Sequence, residues 1–242
     1  MRPWLGAATR ALLEVLLPSC CVICGRDAVP GRSCIGVPGL RWCDAPQLCR
    51  ACKRERLTPA PATATLGRAG AELTAAGGRP TSAALVDLVS VWKYRGIRGL
   101  AWPLAELADA AWPAAVDAGG PVDALVPIPL HARRRRARGF NQAELLAGLI
   151  GARRRVPVRC GLLRRRRATA QQAKLPARSE ARDLNVRDAF VPVVATGEGI
   201  RCVGLVDDIV TSGATALAAA AVLREGGLSV AWILSAGLAR GA

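Results

Sequence analysis

The run Val203-Gly-Leu-Val-Asp207-Asp208-Ile-Val-Thr211-Ser212-Gly213-Ala214-Thr215 constrains the fold more than any other stretch of this chain. Residues 202–206 are wholly apolar and read as a buried strand. Residues 214–223 are Ala-rich with helical spacing. A buried strand that passes into a helix through a few small residues is the βα step of a parallel sheet, and such sheets bind ligands at the C-terminal ends of their strands. Here that end carries two carboxylates, Asp207 and Asp208. Thr211, Ser212, Gly213, Ala214 and Thr215 follow, with consecutive backbone N–H groups at a helix start and three hydroxyls, an arrangement that suits a phosphate monoester. The carboxylates suit ribose hydroxyls, directly or through Mg²⁺. The plainer alternative is a tight turn in which Asp and Thr cap the helix. A lone Asp-Asp pair would favour that turn, whereas the whole run favours a ribose-phosphate site.

Around this unit, strand and helix patterns alternate from residue 81 onward. Leu85, Val86, Leu88, Val89 and Trp92 share a helical face, and a second helix follows over about 100–112. Residues 122–127, 156–162 and 228–234 read as strands and 141–150 as a helix, which predicts a mostly parallel α/β sheet flanked by helices. With 242 residues, 51% of them hydrophobic but few aromatic, the core is built from Ala, Val and Leu. Residues 58–80 are rich in small residues, Pro and Gly and read as a linker. The expected organisation is therefore a module over 1–57, a linker over 58–80 and an α/β domain over 81–242.

The first module holds seven of the 9 cysteines and no hydrophobic period long enough for a core, apart from a short amphipathic helix over 5–17. Cys21-x₂-Cys24 and Cys49-x₂-Cys52 each present two thiolates to one tetrahedral Zn²⁺, as paired knuckles do, and a structural zinc would hold a segment that packing cannot. Cys20 is adjacent to Cys21 and able to replace it, and Cys34 and Cys43 lie in the intervening stretch, so other ligand sets remain open. Cys160 and Cys202 fall in predicted strands and read as buried apolar residues. An odd cysteine number fits metal binding and burial in a reducing compartment better than disulfides.

The net charge of +16 favours polyanionic partners. Only Lys53, Lys93 and Lys174 are lysines, and a composition so rich in Arg, Ala, Gly and Pro points to GC-rich coding, which explains part of the basicity. The window 133–167 carries thirteen arginines against Glu144 alone. No apolar stretch is long enough for a transmembrane helix, and residues 11–17, interrupted by Glu14, are too short for a secretory signal, so the expected location is cytoplasmic.

The Asp207–Thr215 run resembles the phosphoribosyl pyrophosphate (PRPP) motif of the type I phosphoribosyltransferases. Further segments narrow the resemblance to the ComF family of competence-associated, phosphoribosyltransferase-like proteins. These are Val126-Pro-Ile-Pro-Leu-His131 with Arg138-Gly139-Phe140-Asn141-Gln142, Lys93-Tyr94-Arg95-Gly96, and Arg182-x-x-Asn185-Val186-x-x-Ala189-Phe190. The resemblance covers essentially the whole chain. It implies a type I phosphoribosyltransferase fold behind an N-terminal zinc knuckle, a PRPP site with Mg²⁺, and glycosyltransferase chemistry linked to DNA uptake or nucleotide salvage. It makes Arg138, Gly139, Asn141 and Gln142 candidates for a pyrophosphate loop. Arg133 to Arg136 belong either to that loop or to a solvated basic surface, and the sole histidine, His131, reads as structural or as a phosphate hydrogen-bond donor. By the same resemblance, residues 164–185 form a mobile loop containing Arg182 and Asn185, while Gln171, Gln172 and Arg182 are poor choices for catalytic groups. Phosphoribosyl transfer needs electrostatic stabilisation more than a dedicated base, and no catalytic acid or base is assigned. The second expectation is a non-enzymatic accessory factor that binds single-stranded DNA within a DNA-uptake machinery.

Overall fold

The computed structural model describes residues 20–26, 48–166, 189–192 and 199–239. The helix expected over 5–17, Cys34, Cys43, Gln171, Gln172, Arg182 and Asn185 lie outside the described residues. The chain divides into two compact units, Met1–Thr58 and Pro59–Ala242. In the first, helix α1 (Arg50–Leu57) buries only Cys52 and Leu57, and Cys49 caps its N-terminus by accepting from the Cys52 N–H.

The second unit is an α/β structure built on a five-stranded sheet, as the sequence pattern predicts. Its elements are β1 (Ala62–Leu66), β2 (Leu73–Gly77), α2 (Ala83–Arg95), a 3₁₀ turn (Arg98–Leu100), α3 (Ala101–Asp109), α4 (Trp112–Gly119), β3 (Ala124–Pro127), α5 (Ala132–Arg138), α6 (Gln142–Arg154), β4 (Leu163–Arg165), β5 (Phe190–Pro192), β6 (Cys202–Val210), α7 (Ala214–Glu225) and β7 (Ser229–Leu238). The strand order is β1-β2-β7-β6-β3, and β4 and β5 form a separate antiparallel pair. All neighbours in the five-stranded sheet are parallel except β1 and β2. Alternation along the strands divides the core. Val203, Leu205 and Ile233 pack with the α7 residues Ala216, Ala219, Ala220 and Leu223 and with Leu163 and Phe190 of the small hairpin. On the opposite face α3, α4 and α6 pack against β7 and β6. There Trp232 lies edge-on to Trp112 at 5.2 Å and donates from Nε1 to the Gly120 carbonyl at 2.9 Å. Gly204 makes room for that indole: a Cβ at this position would come within 2.3 Å of the Trp232 ring.

Three sequence expectations change here. The segment 58–80, expected as a linker, contains β1 and β2. Its small residues are strand residues packed tightly, with Ala75 and Ala76 fully buried, and alanine gives too little hydropathy contrast for the alternation to stand out. The strand expected over 156–162 is reduced to one bridge, Val158 to Leu125. Pro157 accepts from the Leu125 N–H but has no N–H to return, and the chain turns at Cys160 and Gly161. Cys160 is accordingly exposed and Cys202 half-buried, so neither is the buried apolar residue expected. The arginine run 133–136 is helix α5 rather than a loop, with the His131 Nδ1 accepting from the Arg133 N–H at its start.

Part of the basic window is neutralised from outside it. Asp109, 5% exposed at the end of α3, receives Arg154 through Nε at 2.7 Å and Nη2 at 3.1 Å, and Arg153 at 3.2 Å, both from α6. Arg153 also reaches Glu106 at 3.6 Å, and Arg135 reaches Glu144 at 3.1 Å. Hydrogen bonds to charged groups contribute about 1.5–3 kcal/mol, and both arginines keep access to water. Asp109→Ala is therefore expected to lower stability by about 2 kcal/mol, and Arg135→Ala, an exposed pair, by under about 1 kcal/mol, both read from urea melts.

Candidate functional site

The site begins where β6 outruns β3, whose pairing ends at Val206, while β7 stays paired to Val210. The strand extends to Val210, four residues beyond the apolar run that announced it, so Asp207 and Asp208 lie within its last turn of pleat rather than past its edge. Asp207 is half-buried and Asp208 only 8% exposed. Each carboxylate is pinned by the next backbone N–H: Asp207 Oδ1 accepts from Asp208 at 2.8 Å, and Asp208 Oδ1 from Ile209 at 2.8 Å. Among the described residues no protein group bonds either Oδ2, which leaves one acceptor oxygen on each for a ligand.

Two adjacent carboxylates in a partly desolvated place repel each other. Burial, and next the charge of Asp208, push Asp207 up to about 7 against the pull of Lys93, the Asp208 N–H and Arg165. The compensating cations come from distant parts of the chain. Lys93, in the last turn of α2, places its Nζ 2.7 Å from Asp208 Oδ1. Arg165, in β4, stacks 5.3 Å over the Phe190 ring. Its pKa is lowered by burial and then by Arg134, while Asp207 raises it.

Beyond Val210 the chain passes through exposed Thr211 and Ser212 to Gly213, which is buried at φ 72°. A Cβ there would meet Leu66 at 2.8 Å, so only glycine fits both the left-handed backbone and the space. Gly213 caps α7 without any side-chain hydrogen bond. The first N–H groups of this twelve-residue helix, at Ala214 and Thr215, therefore lack the side-chain cap that Asp or Thr would supply in the plain-turn alternative.

The other named segments converge on the same region through α2. Trp92, fully buried, lies 6.0 Å from Phe140. Arg98 donates to the Gly139 carbonyl at 2.8 Å and sits 5.3 Å over the Phe140 ring. Arg138 lies 5.4 Å over Tyr94 and donates to Gln142 Oε1 at 3.2 Å. Of the four pyrophosphate-loop candidates, Asn141 is engaged in the fold: its Nδ2 donates to the Ile128 carbonyl at 3.1 Å and its Oδ1 caps α6 at Ala143. Gly139 ends α5 in a left-handed conformation. Arg138 and Gln142 are the pair left with polar capacity, and Gln142 Nε2 is buried without a partner. The sequence reading quoted Lys93 only as part of a family segment and assigned neither it nor Arg165 a role at this site. The signal for Lys93 was present, since it is a lysine in a chain that uses arginine almost everywhere; Arg165 was hidden inside an arginine run.

In the first unit the side-chain sulfurs of Cys21, Cys24, Cys49 and Cys52 all lie within 4.8 Å of one another, with Cys24 and Cys49 3.7 Å apart. Four sulfurs about 2.3 Å from a tetrahedral zinc stand about 3.8 Å apart, so this group could hold a metal ion such as zinc. Cys21, not Cys20, is the member of the set. Although burial opposes it, backbone N–H groups of Cys49, Cys24 and Ile23 bring the Cys21 thiol down to about 6. Burial and the neighbouring thiols push Cys52 up. Four thiolates this close require a cation, and the donors suit a soft divalent one.

The second unit thus defines a class: an α/β protein with an acidic strand end followed by a side-chain-free helix start, behind a four-cysteine module. No protein-family model matches the chain. It is 35% identical over 119 residues to competence protein F of Haemophilus influenzae, covering 49% of this chain and 50% of that protein. It is 38% identical over 117 residues to the DNA utilization protein YhgH of Salmonella typhi and to that of Escherichia coli K12, covering 46% of this chain and 48% of each relative. The chain spans about half the length of the curated relatives it matches. These matches, each over about half of the chain, support its resemblance to the ComF family. Among the described residues, no helix is long and apolar enough to cross a membrane.

The electrostatics of the acidic pair carry a stability signature. Folded Asp207 holds its proton to higher pH than the unfolded chain does, so its contribution is full below about 4 and is lost as the pH rises through about 7. Asp207→Asn is expected to raise the thermal midpoint of the ligand-free protein at pH 8 and to leave it nearly unchanged at pH 4; an equal change at both pH values would contradict the assignment.

Proposed function

We propose that the chain binds PRPP or another ribose 5-phosphate compound at the junction of β6 and α7, as a protein of DNA uptake or DNA use. The observation that carries this reading is the pair of unused Oδ2 atoms on Asp207 and Asp208 beside the uncapped start of α7. The first suits a vicinal diol and the second a phosphate, six to eight residues apart on one strand–helix junction. Thr211, Ser212 and Thr215 add hydroxyl donors. Arg138 and Gln142, on either side of the turn between α5 and α6, would take the pyrophosphate of PRPP, with Mg²⁺ arriving as the companion of that pyrophosphate. Phosphoribosyl transfer is the chemistry such a site supports, because a developing ribosyl cation is stabilised by fixed carboxylates. The role in competence or DNA use rests on the names of the relatives.

Isothermal titration of PRPP with and without Mg²⁺ tests the reading. Asp207→Asn with Asp208→Asn is expected to weaken binding on the order of tenfold to a hundredfold, as loss of hydrogen bonds to charged groups implies. Unchanged affinity in the folded double variant would refute it. Release of pyrophosphate in the presence of an acceptor distinguishes a transferase from a binder.

The zinc assignment belongs to the same reading: Zn²⁺ on Cys21, Cys24, Cys49 and Cys52 would hold a unit whose described part has almost no core. Elemental analysis is expected to find one zinc per chain, and Cys49→Ser with Cys52→Ser to lose it. Zinc retained by that variant would move the ligands elsewhere.

A second reading has its own observation. Arg50, Lys53 and Arg54 stand exposed on α1, directly behind the cysteine cluster, a basic surface suited to single-stranded DNA. If about four phosphates are neutralised, log K falls with log salt at a slope of about −3, at roughly −0.7 per contact. Filter binding across a salt series reads this, and a flat response would exclude it.

A further inference from the structure

We infer that Lys93 is a positioning residue that fixes Asp208 for the ribose diol, so that the ability to recognise a vicinal diol depends on the C-terminal turn of α2. The inference rests on the proposed ribose-phosphate reading and extends it to a residue outside the strand–helix junction.

The geometry is specific. Lys93 lies 115 positions before Asp208 in sequence, yet its Nζ approaches Oδ1 to 2.7 Å, with 23% of the lysine and 11% of the aspartate side chain exposed. That oxygen already accepts from the Ile209 N–H at 2.8 Å. The two donors together fix the rotation of the carboxylate about its last bond and leave Oδ2 as the one oxygen for a ligand. A carboxylate held by the backbone N–H alone would be free to turn, and beside Asp207 it would be driven to do so by repulsion.

Lys93 is itself well anchored. The residue before it, Trp92, packs in the core against Phe140. The residue after it, Tyr94, lies under the Arg138 guanidinium, and Arg98 binds the Gly139 carbonyl. Gly96, in a left-handed conformation at φ 66°, ends α2 directly beyond Lys93 and turns the chain toward Arg98. A lysine on a flexible stem ordinarily loses much rotamer freedom in forming an ion pair. Here the backbone on both sides is already fixed, so the pair orders only the lysine's own stem.

The test separates diol recognition from phosphate recognition. Two probes are titrated by calorimetry in EDTA: ribose 5-phosphate, and tetrahydrofurfuryl phosphate, which keeps the ring oxygen and the phosphate but lacks the hydroxyls. Wild type is expected to prefer ribose 5-phosphate by about tenfold or more, the worth of a hydrogen bond to a charged group. Lys93→Met is expected to reduce the preference to under about threefold while binding tetrahydrofurfuryl phosphate as wild type does, and Lys93→Arg to restore most of it. A preference that survives in Lys93→Met overturns the inference alone. So does an equal loss for both probes, which is the mark of a merely structural role. No preference in wild type overturns the ribose reading and the inference with it. Should Lys93→Met fail to fold, Lys93→Gln, which also removes the charge, carries the same comparison.

Discussion

Two negative charges on consecutive residues at the end of a partly buried strand repel each other, and the arrangement of the second unit follows from how that repulsion is met. β6 is flanked by parallel strands β3 and β7, and β7, paired through Val210, fixes its end. Backbone N–H groups pin one oxygen of each carboxylate, but neutral donors do not cancel a like charge at this range. Lys93 on α2 and Arg165 on β4, two elements far apart in the chain, offset part of it. Docking α2 against Phe140 and Gly139 therefore does more than fill the core: it brings an ammonium to Asp208 and a polar pair, Arg138 and Gln142, to the same neighbourhood.

The parts of this arrangement that depend on local chemistry were legible in the sequence. The apolar run before Asp207, the glycine at 213 and the Ala-rich helix after it specify a strand, a turn and a helix by their own preferences, and they form as read. The two Cys-x₂-Cys pairs likewise come together, because each knuckle is a local structure and only their pairing is long-range. What escaped the reading is of two kinds. Strands β1 and β2 are made mostly of Ala, Thr and Gly, with Leu66 and Leu73 at their joined ends, and their weak hydropathy contrast looks like a linker even though Ala75 and Ala76 are fully buried. The other kind is pairing across the chain: Lys93 with Asp208, and Arg153 and Arg154 with Asp109. Charge counted along the sequence made the window 133–167 look like a continuous basic surface. In space, acidic groups from α3 neutralise part of it.

The two units solve the stability problem by different means. The larger one buries Leu, Val and Ala between a sheet and helices on both faces. The described part of the smaller one has a buried cluster consisting of three cysteines, with Ile23 and Leu48 against it. Apolar burial on that scale contributes a few kcal/mol at most, less than the conformational entropy of fixing the segment. A metal ion on the four cysteines would supply what that cluster lacks, and the backbone N–H groups around Cys21 already favour its thiolate.

The central claim is about place as well as affinity: a ribose phosphate sits with its hydroxyls on Asp207 and Asp208 and its phosphate at the start of α7. A crystal structure of the protein soaked with PRPP or ribose 5-phosphate tests it most directly. The account predicts phosphate density against the backbone N–H groups of Ala214 and Thr215, with the diol within hydrogen-bond distance of both Oδ2 atoms. A phosphate bound instead along the arginines of α5, with the acidic pair untouched, would contradict it.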